Sequence, residues 1–320
     1  MDIIRFIKNW TLPISMITGA LAYFIYAAIP ALDSTHHFMN EFVGYLQPVL
    51  IFCMLFLAFC KIAPRELRPH WWQFWLLLIQ MGIFCALALL LWAFPDTPYR
   101  LILEGALLSI VCPTATACAV VTMRLGGNAA ATTTYTMAVN LAVAVLAPLM
   151  LPLAHPQAGI SFLPAFLTII RKVFPLLFCP LIAAWFVRFC MPAFHRKCLA
   201  LKDLAFYLWA IALAIAIAVT CKALMHNDEP AVQILGIAAV SLLFCIFQFA
   251  VGKMVGTHYG CRIEGGQALG QKNTVFIIWL GYTFLTPVTA VAGGFYSVWH
   301  NLINTYQLYK KRKQDEAVMK

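Results

Sequence analysis

Ten long apolar runs recur along this chain, and they constrain its fold more than any other feature. They lie at about residues 10–30, 44–62, 71–94, 101–123, 130–153, 162–190, 203–225, 231–255, 267–285 and 287–308. About twenty apolar residues suffice for a helix to cross the hydrocarbon core of a bilayer. Lipid cannot satisfy free backbone groups, so helices are the default spanning structure, and the short alternating segments of a β-barrel are not seen. Composition agrees: 63% of the 320 residues are hydrophobic and 11% are charged, with a mean hydropathy of +0.85. A soluble domain of this length would not be so apolar. The sequence therefore predicts an all-α polytopic membrane protein. Only the sixth run is awkward. Arg171 and Lys172 interrupt it, which predicts a short interfacial piece followed by a span from about Phe174.

The first run, from about Trp10 to Ile29, follows Arg5 and Lys8 as a signal peptide would. It lacks a convincing small-residue cleavage site and reads as a retained first helix. Lysine and arginine set the orientation. One set of loops holds Arg5 and Lys8; Lys61, Arg65 and Arg68; Arg124; Arg196, Lys197 and Lys202; Lys253 and Arg262; and the tail from Lys310 to Lys313. The opposite set holds Asp33, Glu41, Asp96, Asp228 and Glu229. Both termini are expected on the cytoplasmic side of a bacterial-like inner membrane. The formal charge of +10 does not argue for nucleic acid, because its basic residues sit where topology wants them. The eleven cysteines are scattered, mostly inside apolar runs, without a CxxC or Cys/His cluster. They read as small buried side chains, and neither a metal nor a cofactor is expected.

The midpoint falls near residue 160, with five runs on each side. Five is odd, so a second unit of five must enter the membrane in the opposite direction, which is the arithmetic of an inverted repeat. Residues 1–158 would form the first repeat, 159–313 the second, and 314–320 a cytoplasmic tail. Transporters of this plan place their sites where helices break near the midplane. The fourth run contains "SIVCPTATACAVVTMRLGG", where Pro113 removes a donor and clashes with the preceding turn. Thr114, Ala115 and Thr116 then allow close backbone approach and offer side-chain oxygens. The ninth run begins with the polar, glycine-rich "EGGQALGQKNT". Both interruptions stand fourth within their half. Taken alone, Pro113 would read as an ordinary kink.

At these residues the chain resembles the bile acid:sodium symporter family. That family's fourth helix carries a Pro-Gly-Gly-Thr-Ala-Ser-Asn-Val-Val-Thr type of motif, and Pro113 to Thr122 reads "PTATACAVVT". "APLMLPL", Ala147 to Leu153, is similar to the end of its fifth helix, and "ALGQKN", Ala268 to Asn273, stands where its ninth helix carries Glu-x-Gly-Met-Gln-Asn. "PVTAVAGGFYSVWHN", Pro287 to Asn301, is similar to its tenth helix. The resemblance covers the chain in helix count and order, and is specific in helices four, five, nine and ten. It implies a panel of helices one, two, six and seven, and a core of the other six, with helices four and nine broken and crossing. It also implies an amphipathic organic anion as substrate, bile salts among them, moved with sodium.

The chain departs from that family at the sodium sites. The shared glutamate falls on Ala268, the glutamine on Lys272, and the fourth-helix serine and asparagine on Cys118 and Ala119. Gln80, Gln271 and Asn273 remain polar. The fifth-helix hydroxyls fall on Thr132 and Thr136, or on Thr136 and Asn140. A sodium ion and a lysine at ~3 Å repel by about 5 kcal/mol at an effective dielectric of about 20. The simplest account is that Lys272 replaces the ion, its ammonium binding Gln80, Asn273 and free carbonyls of the break. A charged lysine at the centre of a membrane costs about 2.5–3.5 kcal/mol on insertion scales. Either it exchanges a proton during a transport cycle, or it stays a fixed cation in an uncoupled or exchange-driven carrier. Sodium coupling through a rearranged site is the alternative.

Other features have plainer readings. Glu104 is expected to pair with Arg100 one turn away rather than with Lys272. His300, in "SVWHN", is expected to pack or hydrogen-bond, and "HWWQFW" at His70 to Trp75 reads as an interfacial aromatic belt. An intramembrane enzyme would need paired carboxylates, a Ser/His pair or a metal cluster at depth, and none is evident, so no catalytic residue is expected. A channel lacks its filter pattern. A transporter-like receptor without flux is the other alternative. The expected partners are the lipid bilayer and a small organic anion, with a proton or sodium ion as coupling partner. Thr114, Thr116, Asn273 and Lys272 are expected at the substrate. Lys272, Gln80, Gln271, Thr136, Asn140 and Cys118 are expected at the ion or coupling site, and helix N-termini at the breaks would favour an anionic group.

Overall fold

A computed structural model of the chain describes residues 3–156, 159–201 and 204–318. Lys202 and the repeat boundary at Ala158 lie outside the described residues, as do the tail residues Met319 and Lys320. The described elements are helices: α1 (Ile3–Ala27), α2 (His36–Cys60), α3 (Trp71–Ala93), α4 (Arg100–Val111), α5 (Cys118–Arg124), α6 (Ala129–Ala154), α7 (Phe162–Cys190), α8 (Pro192–Ala200), α9 (Leu204–Met225), α10 (Ala231–His258), α11 (Arg262–Gly270), α12 (Thr274–Phe284) and α13 (Pro287–Val318). Among the described residues, six helices are long and apolar enough to cross a membrane: α2 with the turn ahead of it, α3, α6, α7, α9 and α10. The protein is an all-helical, polytopic, membrane-embedded chain. Large apolar side chains such as Leu21, Leu78, Ile182 and Leu243 stay exposed on its outer surface. That surface suits lipid rather than water.

Each apolar run of the sequence is helical, and two are split. The fourth divides into α4 and α5, and the ninth into α11 and α12. The sixth corrects an expectation: α7 is one unbroken helix of 29 residues from Phe162 to Cys190. Arg171 and Lys172 both reach the exposed side of that helix, and the Lys172 ammonium lies over the Phe284 ring, 5.7 Å from its centroid. Long basic side chains can leave an apolar helix this way without ending it.

Two groupings of contacts organise the helices, joined where α6 packs on α7 and α9 on α12 and α13. α1 lies along α9, and α2 packs on α7 and α9. α10 packs on α11, α4 and α13, while α3 joins α4 to α6, and α12 runs against α13. α10 and α11 approach closely because Gly252 and Gly265 face each other: a Cβ on Gly265 would stand 2.3 Å from the Gly252 carbonyl oxygen. Gly260, at φ +69, makes the reversal between them. At the start of α3, Trp71 and Trp75 are exposed, while Trp72 is buried and stacked on Tyr135 at 6.1 Å. The aromatic stretch therefore serves both the surface and the core.

Candidate functional site

The two helix breaks meet. Pro113 to Ala115 runs antiparallel to Gln271 to Asn273, with Thr114 opposite Lys272. The Ala115 amide donates to the Gln271 carbonyl, and the Asn273 amide donates to the Pro113 carbonyl, both at 2.9 Å. Two extended fragments in the middle of a helical protein thus pair like a miniature sheet. Backbone groups buried away from water need such partners.

Side chains satisfy what the fragments leave open. Pro113 has no N–H, so the Ser109 carbonyl loses its helical donor. The amide nitrogen of Gln248, on α10, takes it at 3.2 Å. Gln80, on α3, donates to the carbonyls of Ile110 and Cys112, each at 2.9 Å, and its own oxygen accepts from the Tyr135 hydroxyl at 2.8 Å. On the second break, Thr114 donates to the Ala268 carbonyl at 2.6 Å, and Tyr296 donates to the Gly270 carbonyl at 2.9 Å. Gln248 in turn donates to the Tyr296 hydroxyl at 3.0 Å. The Cys112 thiol reaches the Asn273 carbonyl at 3.0 Å. Asn273 caps α12, its side-chain oxygen accepting from the Phe276 amide at 3.3 Å. Gln80, held by Tyr135, thus braces the first break, and the Gln248–Tyr296 pair bridges the two, Gln248 at Ser109 and Tyr296 at Gly270.

Lys272 is a charged side chain that escapes this saturation. It is 1% exposed, and among the described residues its ammonium nitrogen has no hydrogen-bond partner. It donates to neither Gln80 nor Asn273, contrary to the expectation from the sequence. The buried thiols of Cys112, Cys118 and Cys245 lie near it. Among the described residues, buried atoms without partners on the surrounding helices include Gln271 Oε1, Gln248 Oε1 and both amide atoms of Asn140.

The structure thus brings Thr114, Lys272, Gln271, Asn273 and Gln80 together at the crossing, with Cys118 near by. Thr132 and Thr136 are buried on α6, and each donates to a carbonyl of its own helix, Ala129 and Thr132 respectively, at 2.9 Å. Asn140 lies one turn further along α6. Thr116 is half-buried and belongs to neither paired fragment. Sequence reasoning missed Gln248, Tyr135 and Tyr296. A glutamine inside an apolar run such as "CIFQFAVG" was the available signal for the first, since polar groups at membrane depth are costly and need a partner.

Glu104 is buried at 1% exposure and pairs with Arg100, Nε to Oε1 at 3.1 Å, as its spacing suggests. It also accepts from Thr289 at 3.0 Å and meets His155 Nδ1 at 2.8 Å. This carboxylate joins α4 to α13 and to the end of α6. His300 is buried, its ring edge-on to Tyr296 at 5.7 Å, and its Nδ1 makes no hydrogen bond among the described residues. No family model and no curated protein matches the chain.

Proposed function

We propose that this protein is a secondary transporter of the type that the bile acid:sodium symporters represent. Ten spans would form two inverted repeats, residues 1–158 and 159–313, followed by the tail. α4 with α5 serves as the fourth span, α11 with α12 as the ninth, and α13 as the tenth. The panel consists of α1, α2, α7 and α9, and the core of the remaining spans. The packing of α1 on α9 and of α2 on α7 and α9 supports that division. The Gln–Tyr pairs support the repeat, because α3 and α6 carry one pair and α10 and α13 carry the other. These are the third and fifth spans of each half.

The observation that carries the reading is the crossing itself: two broken helices paired at Thr114 and Lys272, with a buried ammonium left without a partner. The substrate is an organic anion or amphipathic acid, bound between panel and core near Thr114, Thr116, Asn273 and Lys272. Movement of the panel against the core exposes that region to each side in turn. The usual sodium sites are not used. Ala268 and Lys272 stand where carboxylate and amide ligands would be. Lys272 takes the ion's place, and no metal, cofactor or catalytic group is required. Both termini face the cytoplasm.

Purified protein in proteoliposomes, tested for counterflow of a labelled bile salt, checks this. Wild type should exchange the anion, and Lys272→Met should lose exchange. Binding without exchange would favour a receptor. Melting midpoints in sodium and in choline test the ion replacement, since a ligand specific to the folded state raises stability with occupancy. Sodium should leave wild type unchanged and raise the midpoint of Lys272→Met. A sodium-specific rise in wild type would overturn the replacement and leave sodium coupling through a rearranged site. A pH-dependent midpoint that Lys272→Met abolishes would assign proton exchange to the lysine.

A further inference from the structure

A groove of about 660 Å³ runs along α10, lined by residues other than the paired fragments of the crossing. Its wall is apolar: Ile246, Phe249, Ala250 and Met254 come from α10 and Ile303 from α13. Ile246 and Met254 are more than half exposed. Its polar end is cationic, formed by Lys253 and Arg262, with Lys310 also within electrostatic range of Lys253. Among the described residues, none of these three cations forms an ion pair with a carboxylate. The Lys253 stem is held in place. It crosses Gly266, where a Cβ would stand 2.6 Å from the lysine Cγ, and its ammonium lies 6.0 Å from the centre of the Phe249 ring.

We infer that this groove binds one anionic phospholipid, an acyl chain along the apolar wall and the phosphate on Lys253 and Arg262. Charge complementarity selects the occupant. Three like charges gathered without a counter-ion repel one another, and an anion relieves that repulsion. A free anion would leave the apolar wall uncovered, and a neutral lipid would leave the cations unpaired. Only a molecule with both parts matches both features. Basic pockets beside membrane helices commonly hold anionic headgroups in this way. The site lies outside the two breaks, so it stands or falls separately from the transport reading.

Native mass spectrometry of the detergent-purified full chain, titrated with phosphatidylglycerol or phosphatidylcholine, tests the inference. Wild type should retain phosphatidylglycerol about thirty-fold more strongly, in keeping with two basic contacts. The double substitution Lys253→Ala with Arg262→Ala should bring the two lipids within about two-fold of each other. Ala250→Trp fills the wall and keeps the charges; it should weaken retention of phosphatidylglycerol and so decide the matter if the double variant does not fold. Inorganic phosphate should not displace the lipid. Equal retention of both lipids by wild type would overturn the proposal. So would an undiminished preference in the double variant, unchanged retention by Ala250→Trp, or displacement by inorganic phosphate.

Discussion

The two breaks solve one problem with different chemistry. The first, around Pro113, is forced by proline and carries no formal charge. Its loose carbonyls at Ser109, Ile110 and Cys112 are all taken by glutamine amides from other helices. The second contains no proline. It ends one helix at Gly270 and starts the next with the Asn273 cap. Its loose carbonyls at Ala268 and Gly270 are taken by the hydroxyls of Thr114 and Tyr296. Both backbones are served, but only the second break adds a buried charged side chain without a partner. The difference separates two uses of polarity inside a membrane. Gln80, Gln248 and Tyr296 are polar because a broken backbone needs them. Lys272 serves no backbone group, so the reason for keeping it lies outside the protein's own hydrogen bonds.

Gln80→Leu should have the largest effect on the comparison. It strands two carbonyls and the Tyr135 hydroxyl in the core of the protein. Each buried polar group left unpaired costs about 1–3 kcal/mol, so the loss should reach about 3 kcal/mol or more. A large drop in melting midpoint in detergent checks it, and a drop no larger than that of an exposed α3 variant such as Leu78→Ala would show that the first break does not depend on its glutamine. Lys272→Met should act with the opposite sign. Removing a buried ammonium that pairs with nothing, while keeping its volume, should raise stability by about 1–3 kcal/mol. A lower midpoint would mean that the lysine braces the break as the glutamines do, and the contrast between the two uses of polarity would fail.

Much of this was legible in the sequence, for identifiable reasons. Apolar runs of spanning length located the helices, and Pro113 and the stretch from Gly270 to Asn273 located both breaks, because backbone-breaking residues carry a local signature. The continuity of α7 was not legible. Two adjacent basic residues look like an interruption in one dimension, while on a helix they can both leave by the exposed side. The braces were hidden for a different reason. Gln80 meets a tyrosine 55 residues away and Gln248 one 48 residues away. A single glutamine or tyrosine inside an apolar run says that a partner exists, and says nothing of which one. Gln80 was picked out as an ion ligand by resemblance, whereas in the fold it is spent on the backbone and on Tyr135. The pairing of Thr114 with Ala268, 154 residues apart, was equally unreadable.

Tyr296→Phe makes the smallest change that still distinguishes the breaks. It removes one hydroxyl, leaving the Gly270 carbonyl without that donor and Gln248 without one of its acceptors. Gln248 keeps the Ser109 carbonyl, so the first break is untouched in its own contacts. Each of the two lost hydrogen bonds is worth about 0.5–1.5 kcal/mol, and within membranes such bonds average about 0.6 kcal/mol. The expected loss is therefore near 1 kcal/mol, well below that for Gln80→Leu. Pairing it with Lys272→Met sharpens the result. Tyr296 holds the carbonyl at the end of α11, two residues before the lysine. If the lysine is idle within the protein, the two substitutions should add to within about 0.5 kcal/mol, as independent sites do. A larger coupling would show that the Tyr296 brace and Lys272 act as one unit, and the second break would then be a single polar assembly rather than a satisfied backbone with a free ammonium beside it.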